Sequence, residues 1–350
     1  MQQIFDGHND LLLRLWRGQQ AGRDPLKEFA RANGTAHIDL QKAGAGGLAG
    51  GFCAIYVPSG DVSFGRPDAR GHYMTPAAAP IPQAGALEVT IAQMDVLQRL
   101  AQADLLTICT SVAAIQSAMA EGRFAAIAHI EGAEALDADL SGLQTLYAAG
   151  LRSIGPVWSR NNIFGHGVPF AYPSSPDAGP GLTEAGKSLV RACNELGIMV
   201  DLSHITEQGF WDVARISDAP LVATHSNAHA ITPVARNLTD KQLAAIKDTG
   251  GVVGLNFAVA FLREDGQERS DTGIATMIRH IDHMVEQVGI EGVALGSDFD
   301  GAMIPAEIGS AAGLPKLVEG LRLAGYSAED MDKICFGNWL RVLRTTWRKA

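Results

Sequence analysis

Apolar and polar positions along this chain follow two alternating rhythms: short apolar runs of strand length, then amphipathic stretches long enough for a helix. The runs predict strands at Ile4–Gly7, Phe52–Val57, Ala125–Ile130, Arg152–Pro156, Ile198–Leu202, Leu221–Ala223, Val252–Leu255 and Val293–Leu295. A shorter run, Leu105–Ile108, predicts a further strand tied to the third unit. Helical periodicity covers Ala84–Ala103, Leu140–Ala149, Thr183–Leu196, Thr206–Ile216, Thr239–Asp248, Gly273–Val288 and Pro315–Leu323. Gly122, Gly150, Gly197, Gly250 and Gly289 stand between a helical stretch and the next strand, where a left-handed residue ends a helix. Thr239-Asp-Lys-Gln242 has the form of a capping box, and Ser327-Ala-Glu-Asp330 resembles one. Eight strands alternating with helices and no linker between them predict parallel strands joined by right-handed crossovers. A single α/β domain over 1–350, closed as a (β/α)8 TIM barrel, is the expected architecture, with a doubly wound open sheet as runner-up.

Two stretches break the rhythm. Pro58–Pro82 holds five prolines and Gly165–Gly181 four more, and both follow a predicted strand. In a barrel they lie on the catalytic face, so they are expected to be walls or lids of a pocket.

Composition narrows the function. The chain has 350 residues, 47% of them hydrophobic, enough for a large core. With 28 Lys+Arg against 38 Asp+Glu the net charge is −10, a field that attracts neither nucleic acid nor an anionic membrane. Cys53, Cys109, Cys193 and Cys335 lie far apart, which predicts buried thiols in a reducing compartment. The start of the chain has neither a basic segment nor an apolar stretch of signal-peptide length, and no window has the length of a membrane span, so a cytoplasmic location is expected. Asn33-Gly-Thr35 and Asn237-Leu-Thr239 match the glycosylation pattern, which means nothing in a cytoplasmic chain.

The candidate chemistry sits at the strand ends. In His8-Asn9-Asp10 the first and third residues of an extended segment point to one side, so an imidazole and a carboxylate converge, and both ligate zinc. His37-Ile-Asp39 has the same form but precedes a helix-like turn, where Asp39 reads as a cap. Glu131, His204, His225 and Asp298 each follow another predicted strand. A barrel builds its active site from such positions whatever their separation in sequence. Together the six residues supply three imidazoles and three carboxylates, enough for two divalent metals sharing one carboxylate.

These segments resemble the membrane (renal) dipeptidase family: Phe-Asp-Gly-His8-Asn-Asp10, His-Ile-Glu131-Gly, Asp-Leu-Ser-His204, Thr-His225-Ser-Asn-Ala, Arg236-Asn-Leu-Thr-Asp and Gly-Ser-Asp298-Phe-Asp-Gly. Gly337-Asn-Trp-Leu-Arg341 is similar to that family's closing helix, and the match runs in order from about residue 4 to about residue 345. The resemblance implies a TIM-barrel peptidase with two zinc ions per chain that hydrolyses small dipeptides through a metal-bridging hydroxide. It allows substrates with a D-residue at the carboxyl end, and a homodimer. By similarity Glu131 bridges the metals, His8 and Asp10 hold one, His204 and His225 the other. Asp298, at the first metal, serves as general base and then general acid. Arg236 meets the substrate's C-terminal carboxylate with its planar fork.

The chain also departs from the family. Members commonly carry a histidine after the fourth strand, where this sequence has Trp158 in Gly155-Pro-Val-Trp158-Ser-Arg-Asn-Asn162. The family's Glu-Gly-Gly-His becomes Glu131-Gly-Ala-Glu134. A neutral indole cannot supply imidazolium charge, so Arg160, His166 or His129 is expected to substitute in part, His129 more as a hydrogen-bonding support for a ligand. Tyr56, Trp158, Arg160, Asn161, His166 and Arg236 are the expected substrate contacts. Gly44-Ala-Gly46-Gly-Leu-Ala49 satisfies a dinucleotide-binding pattern but leads into a strand instead of following one, so it reads as a tight turn. His72, His229, His280 and His283 have no evident partners; surface or structural roles are expected, with an exposed helical face for the last two. The altered loops leave a deacylase of N-acyl amino acids as the alternative enzyme, and an inactive metal-binding scaffold as the non-enzymatic reading.

Overall fold

The computed structural model describes residues 1–31, 34, 36–60 and 65–347. Asn33, Thr35 and positions 61–64 of the first proline-rich loop lie outside the described residues. Eight parallel strands carry the frame: β1 Ile4–Asn9, β2 Leu48–Tyr56, β3 Ala125–Glu131, β4 Leu151–Gly155, β5 Met199–Val200, β6 Val222–Ala223, β7 Val252–Leu255 and β8 Val293–Leu295. They pair in chain order as β1-β2-β3-β4-β5 and β6-β7-β8, all in parallel, with Thr107–Ile108 as a short addition beside β3. Single parallel bridges lie between the ends of the two sheets, Asp201 with Val222 and Asn9 with Phe299. The α/β alternation expected from the apolar runs is what the chain adopts.

Period-2 alternation sorts each strand's side chains onto two faces. On β3, Ala126, Ala128 and Ile130 join the large cluster under the helices, while Ala125 and Ile127 join a second cluster. That second cluster takes Phe5, Phe52, Met199, Val222, Val252 and Ala294 from six further strands and packs them around Trp339. Trp339, in the first turn of the closing helix Asn338–Thr346, is fully buried and donates its indole N–H to the Leu295 carbonyl at 3.0 Å. Gly7 makes room for it: a Cβ there would lie 2.4 Å from both the Trp339 ring and the Thr224 carbonyl oxygen. Continuing outward along the same face of β3, the next two residues are His129 and Glu131, so one strand runs from packed core to polar site.

The helices follow their expected signals. Thr183, Thr206 and Thr239 cap the helices at Glu184–Leu196, Glu207–Ile216 and Asp240–Asp248, and Thr239–Gln242 and Ser327–Asp330 both form capping boxes. Gly197 ends its helix at φ 72, the left-handed region that costs a residue with a Cβ. The pattern of polar and apolar residues missed the helices Leu11–Gln20, which follows β1 with no side-chain cap, and Pro25–Ala30, although Asp24 caps the latter and Pro25 opens it. The helix expected from Leu140 starts only at Leu143, because Leu140 itself sits at φ 58 in a turn.

The two proline-rich loops meet each other. Tyr73–Thr75 of the first pairs antiparallel with Phe170–Tyr172 of the second, a small ribbon over one end of the strands. Asn237 is buried and donates to the Thr232 and Phe261 carbonyls, so that glycosylation triplet has no accessible amide. All four cysteines are free and buried. Among the described residues no helix is long and apolar enough to cross a membrane.

Candidate active site

Six side chains from five strand ends meet at the end of the strands that the proline-rich loops cover. His8 is in β1 and Asp10 just beyond it, Glu131 is the last residue of β3, His204 and His225 follow β5 and β6, and Asp298 follows β8. Nε2 of His204 lies 3.0 Å from Glu131 Oε1 and Nε2 of His225 lies 3.4 Å from the same oxygen. The two ε nitrogens are 3.2 Å apart. On the other side His8 Nε2 is 3.7 Å from Glu131 Oε2 and 3.5 Å from Asp10 Oδ2. Donor atoms of His8, Glu131 and His225 form one group within 4.8 Å, and those of His8, Asp10 and Asp298 another.

Neighbouring groups fix which atom each ligand presents. Ser159 Oγ engages His204 Nδ1 at 2.9 Å, and Thr224 Oγ1 engages His225 Nδ1 at 2.8 Å, leaving both ε nitrogens turned to Glu131. Thr224 is itself held by Asp201, whose Oδ2 accepts its hydroxyl at 2.7 Å. Asn256, directly after β7, donates to Asp298 Oδ2 at 3.0 Å. His129 touches no ligand by hydrogen bond; its Nδ1 meets Ser153 Oγ at 2.9 Å, its Nε2 lies 3.6 Å from Asp201, and its ring meets the edge of His8. It packs as support behind the site. His204 and Asp298 adopt φ 68 and 59. Left-handed backbone at residues with side chains costs roughly 1 kcal/mol or more and collects at functional sites, here redirecting two side chains into the cluster.

The electrostatics of this arrangement are one-sided. Burial, then Asp10 and Asp298, push the Glu131 carboxyl well above the carboxylate range. Burial and Asp300 push Asp10 up to about 7, and burial raises Asp298. Burial drives His204 and His225 well below the ordinary imidazole value, reinforced by Arg236 and the other histidines. The cluster therefore joins neutral imidazoles to carboxylates that resist ionising together in the interior. Neither ring nitrogen of the fully buried His8 has a hydrogen-bond partner among the described residues. Bare buried donors and crowded carboxylates are both relieved by cations, and nitrogen-plus-oxygen donor sets of this kind suit zinc. The residues fit a metal centre.

A cavity of about 660 Å³ opens over the cluster. Asp10, Glu131, His204 and Asp298 are on its surface, as are Tyr56 and Trp158. Gly60 and Phe170 bring both proline-rich loops into its wall, as those loops were expected to do. Arg236 is buried beside the cluster, donating to Ser226 Oγ at 3.0 Å and to the His225 carbonyl at 2.8 Å, while its Nε has no partner among the described residues. Burial lowers its pKa only to about 10, so it stays a cation at neutral pH.

Of the expected substrate contacts, Tyr56 and Trp158 line the cavity, whereas Arg236, Arg160, Asn161 and His166 are not on its surface. Arg160 is fully buried and committed to Glu134 at 2.9 Å and to the Val57 carbonyl at 2.9 Å. Asn161 Oδ1 accepts from the Gly167 amide at 3.1 Å, and His166 Nδ1 faces the Gly181 carbonyl at 3.0 Å, so both shape the second loop instead. None of Arg160, His166 and His129, the expected partial substitutes, is on the cavity surface. His280 is also corrected: it is buried, accepting from the Ala228 amide at 3.2 Å and bonded to the Leu262 carbonyl at 2.9 Å, a structural role and not an exposed one. Asp39 caps the helix Leu40–Gly46, accepting from the Lys42 amide at 2.7 Å. Sequence reasoning missed Ser159, Thr224, Asn256 and Gly301. Asn256 was within reach, being at a strand end like the ligands; Gly301 was not, since only its spacing from two carboxylates marks it.

The profile of the membrane dipeptidase family, peptidase family M19, matches residues 1–350. A metallo peptidase of Rhodobacter sphaeroides, solved with a phosphinate mimic of the dipeptide L-Ala-D-Ala, is 47% identical and superposes with a TM-score of 0.93, covering 99% of each chain. Dipeptidase verJ of Clonostachys rogersoniana is 30% identical over 97% of this chain and 83% of its own length. An uncharacterized protein of the pqqA 5' region of Klebsiella pneumoniae is 49% identical over 75% of this chain and 98% of its own. With the family profile spanning its whole length, this chain belongs to the membrane dipeptidase family and is a hydrolase of the metallo-dipeptidase class.

Proposed function

We propose that the protein is a binuclear zinc dipeptidase whose strands close into a (β/α)8 barrel. Closure is supported by strand pairing in strict chain order, by the parallel bridges at both seams and by the inner cluster around Trp339. A doubly wound sheet would reverse its strand order at a switch point, and no reversal occurs among these eight strands. The observation that carries the function is the pair of His204 and His225 ε nitrogens aimed at one oxygen of Glu131 while His8 and Asp10 approach from the other side.

In this reading His8, Asp10 and Asp298 would hold one zinc and His204 and His225 the other, with Glu131 shared between them. Bound there, two cations would supply Lewis acidity for the scissile carbonyl and would lower the pKa of water at the site. The chain's own residues do the rest. Asp298, with Oδ2 steadied by Asn256, takes a proton from the attacking water and returns it to the departing amine. Arg236 binds the substrate's free carboxylate, which restricts the site to short substrates. The ligand of the Rhodobacter relative supports dipeptides with a D-residue at the carboxyl end.

Two measurements test this. Metal analysis of the purified protein is expected to find about two zinc ions per chain. Incubation with a dipeptide library is expected to release free amino acids, while a panel of N-acyl amino acids is turned over far more slowly. Turnover of the N-acyl panel alone would replace the peptidase reading with a deacylase, and one zinc or none would overturn the binuclear site.

A further inference from the structure

Trp158 is part of an unbroken line of aromatic rings that starts at Tyr56. Its ring centroid is 5.0 Å from Tyr56 and 5.6 Å from Phe170, and Phe170 stacks on Phe261 at 6.0 Å with planes 19° apart. All four residues are on the cavity surface. The line ends at Arg236, whose guanidinium carbon lies 5.7 Å from the Phe261 centroid. A substrate that sets its carboxylate against Arg236 therefore has the side chain of its carboxyl-side residue nearest these rings.

The far end of the line is anchored from behind. Arg160 lies 5.6 Å from the Tyr56 centroid and 5.5 Å from that of Trp158, fully buried. Its Nε donates to Glu134 Oε1 at 2.9 Å, and its Nη1 donates to the Val57 carbonyl at 2.9 Å and to Ser59 Oγ. One cation thus ties the Trp158 segment, the loop after β2 and the loop after β3.

We propose that the row Tyr56–Trp158–Phe170–Phe261 is the subsite for the carboxyl-side side chain and selects dipeptides ending in a large apolar residue, with the Arg160–Glu134 pair positioning its Tyr56–Trp158 end. The proposal rests on the dipeptidase reading and names the substrate class of that same site. Aromatic rings offer both apolar area and edge or face contacts to an incoming side chain. A hydrophobic pocket discriminates by roughly tenfold or more per well-packed group.

The test uses the zinc-loaded enzyme and two series of dipeptides, Ala-Xaa and Xaa-Ala, with Xaa alanine, leucine, phenylalanine, aspartate or lysine, in both configurations of the carboxyl-side residue. In the Ala-Xaa series kcat/KM for phenylalanine is expected to exceed that for alanine by about tenfold or more, and the Xaa-Ala series to show no comparable preference. Trp158→Ala is expected to collapse the phenylalanine-to-alanine ratio in the first series. Glu134→Gln, which keeps the shape and removes the charge, is expected to raise KM for Ala-Phe more than it lowers kcat. A flat Ala-Xaa series, a preference confined to Xaa-Ala, or a ratio untouched in Trp158→Ala overturns the subsite. A uniform fall of kcat across all substrates of Glu134→Gln at unchanged KM overturns the positioning role. Failure to hydrolyse any dipeptide overturns the dipeptidase reading and the subsite with it, whereas a flat series with active enzyme overturns the subsite alone.

Discussion

Replacing Gly301 by alanine adds one methyl-sized group at the most crowded point of the proposed metal site. The residue follows Asp298-Phe-Asp300 in the turn beyond β8, and a Cβ there would lie 2.1 Å from Asp10 Oδ2 and 2.6 Å from Asp298 Oδ1. Unbonded heavy atoms rest at roughly 3.5 Å, so the Asp10 oxygen must retreat by more than about 1 Å or the turn must move by as much. Its backbone is not among the left-handed positions, so alanine meets no conformational penalty of its own. The damage therefore falls on the carboxylates and not on the fold. Misplacing a reacting or ligating group by about 1 Å costs on the order of 100-fold in rate. Gly301→Ala is expected to lose kcat by about that factor on a dipeptide substrate and to retain less zinc after dialysis, with the Tm of the metal-free protein within about 3 °C of wild type. Full zinc content with kcat within about threefold of wild type refutes the placement of Asp10 and Asp298 as ligands. A large fall in the metal-free Tm refutes the reasoning differently, by making Gly301 a folding residue.

Other perturbations probe other parts of the argument. Ser159→Ala frees His204 Nδ1 and the tautomer it fixes; zinc affinity, read by competition with a chelator, is expected to fall about 10- to 100-fold, and an unchanged affinity would show that Ser159 does not orient the ligand. Burial raises the metal-free Asp10 carboxyl to about 7, so below that pH zinc must displace a proton from it, and affinity is expected to weaken as the pH falls from about 7. His204 and His225, held neutral by burial, add nothing to that slope in the same range. A pH-independent affinity between about pH 5.5 and 7 contradicts this charge assignment. Gly7→Ala drives a Cβ to 2.4 Å from both the Trp339 ring and a backbone carbonyl, with the Leu295 carbonyl at 2.9 Å. Overpacking of a rigid site costs about 1–3 kcal/mol or more, so Tm is expected to drop by several degrees even in metal-free protein; an unchanged Tm would mean that Trp339 does not fill the interior as described.

Much of this was legible in the order of residues. Buried parallel strands must be apolar, helices must be amphipathic, and caps must carry oxygens, so the eight strands and the Thr183, Thr206 and Thr239 caps are local statements. The six clustered ligands were legible for a related reason: a strand that stops being apolar at its end, with His, Asp or Glu, announces a polar site there. That five of them fall within 4.8 Å in two groups sharing His8, with His204 3.0 Å from Glu131, is a property of the strands' arrangement, because residues as far apart as His8 and Asp298 are joined only by the pairing of sheets. Direction was beyond the sequence as well. Arg160, Asn161 and His166 lie in the right segment, yet one is spent on Glu134 and two on loop backbone, since a buried charge or amide takes whatever partner the fold puts nearest. The family likeness identified Trp158 as a departure; only the packing of Tyr56, Phe170 and Phe261 around it made that departure a surface. Sequence thus determined which elements form and which residue types end them, both set by burial and backbone geometry within a few residues. Tertiary structure decided which side chains face each other, because distance and orientation between remote segments follow from packing that no local pattern contains.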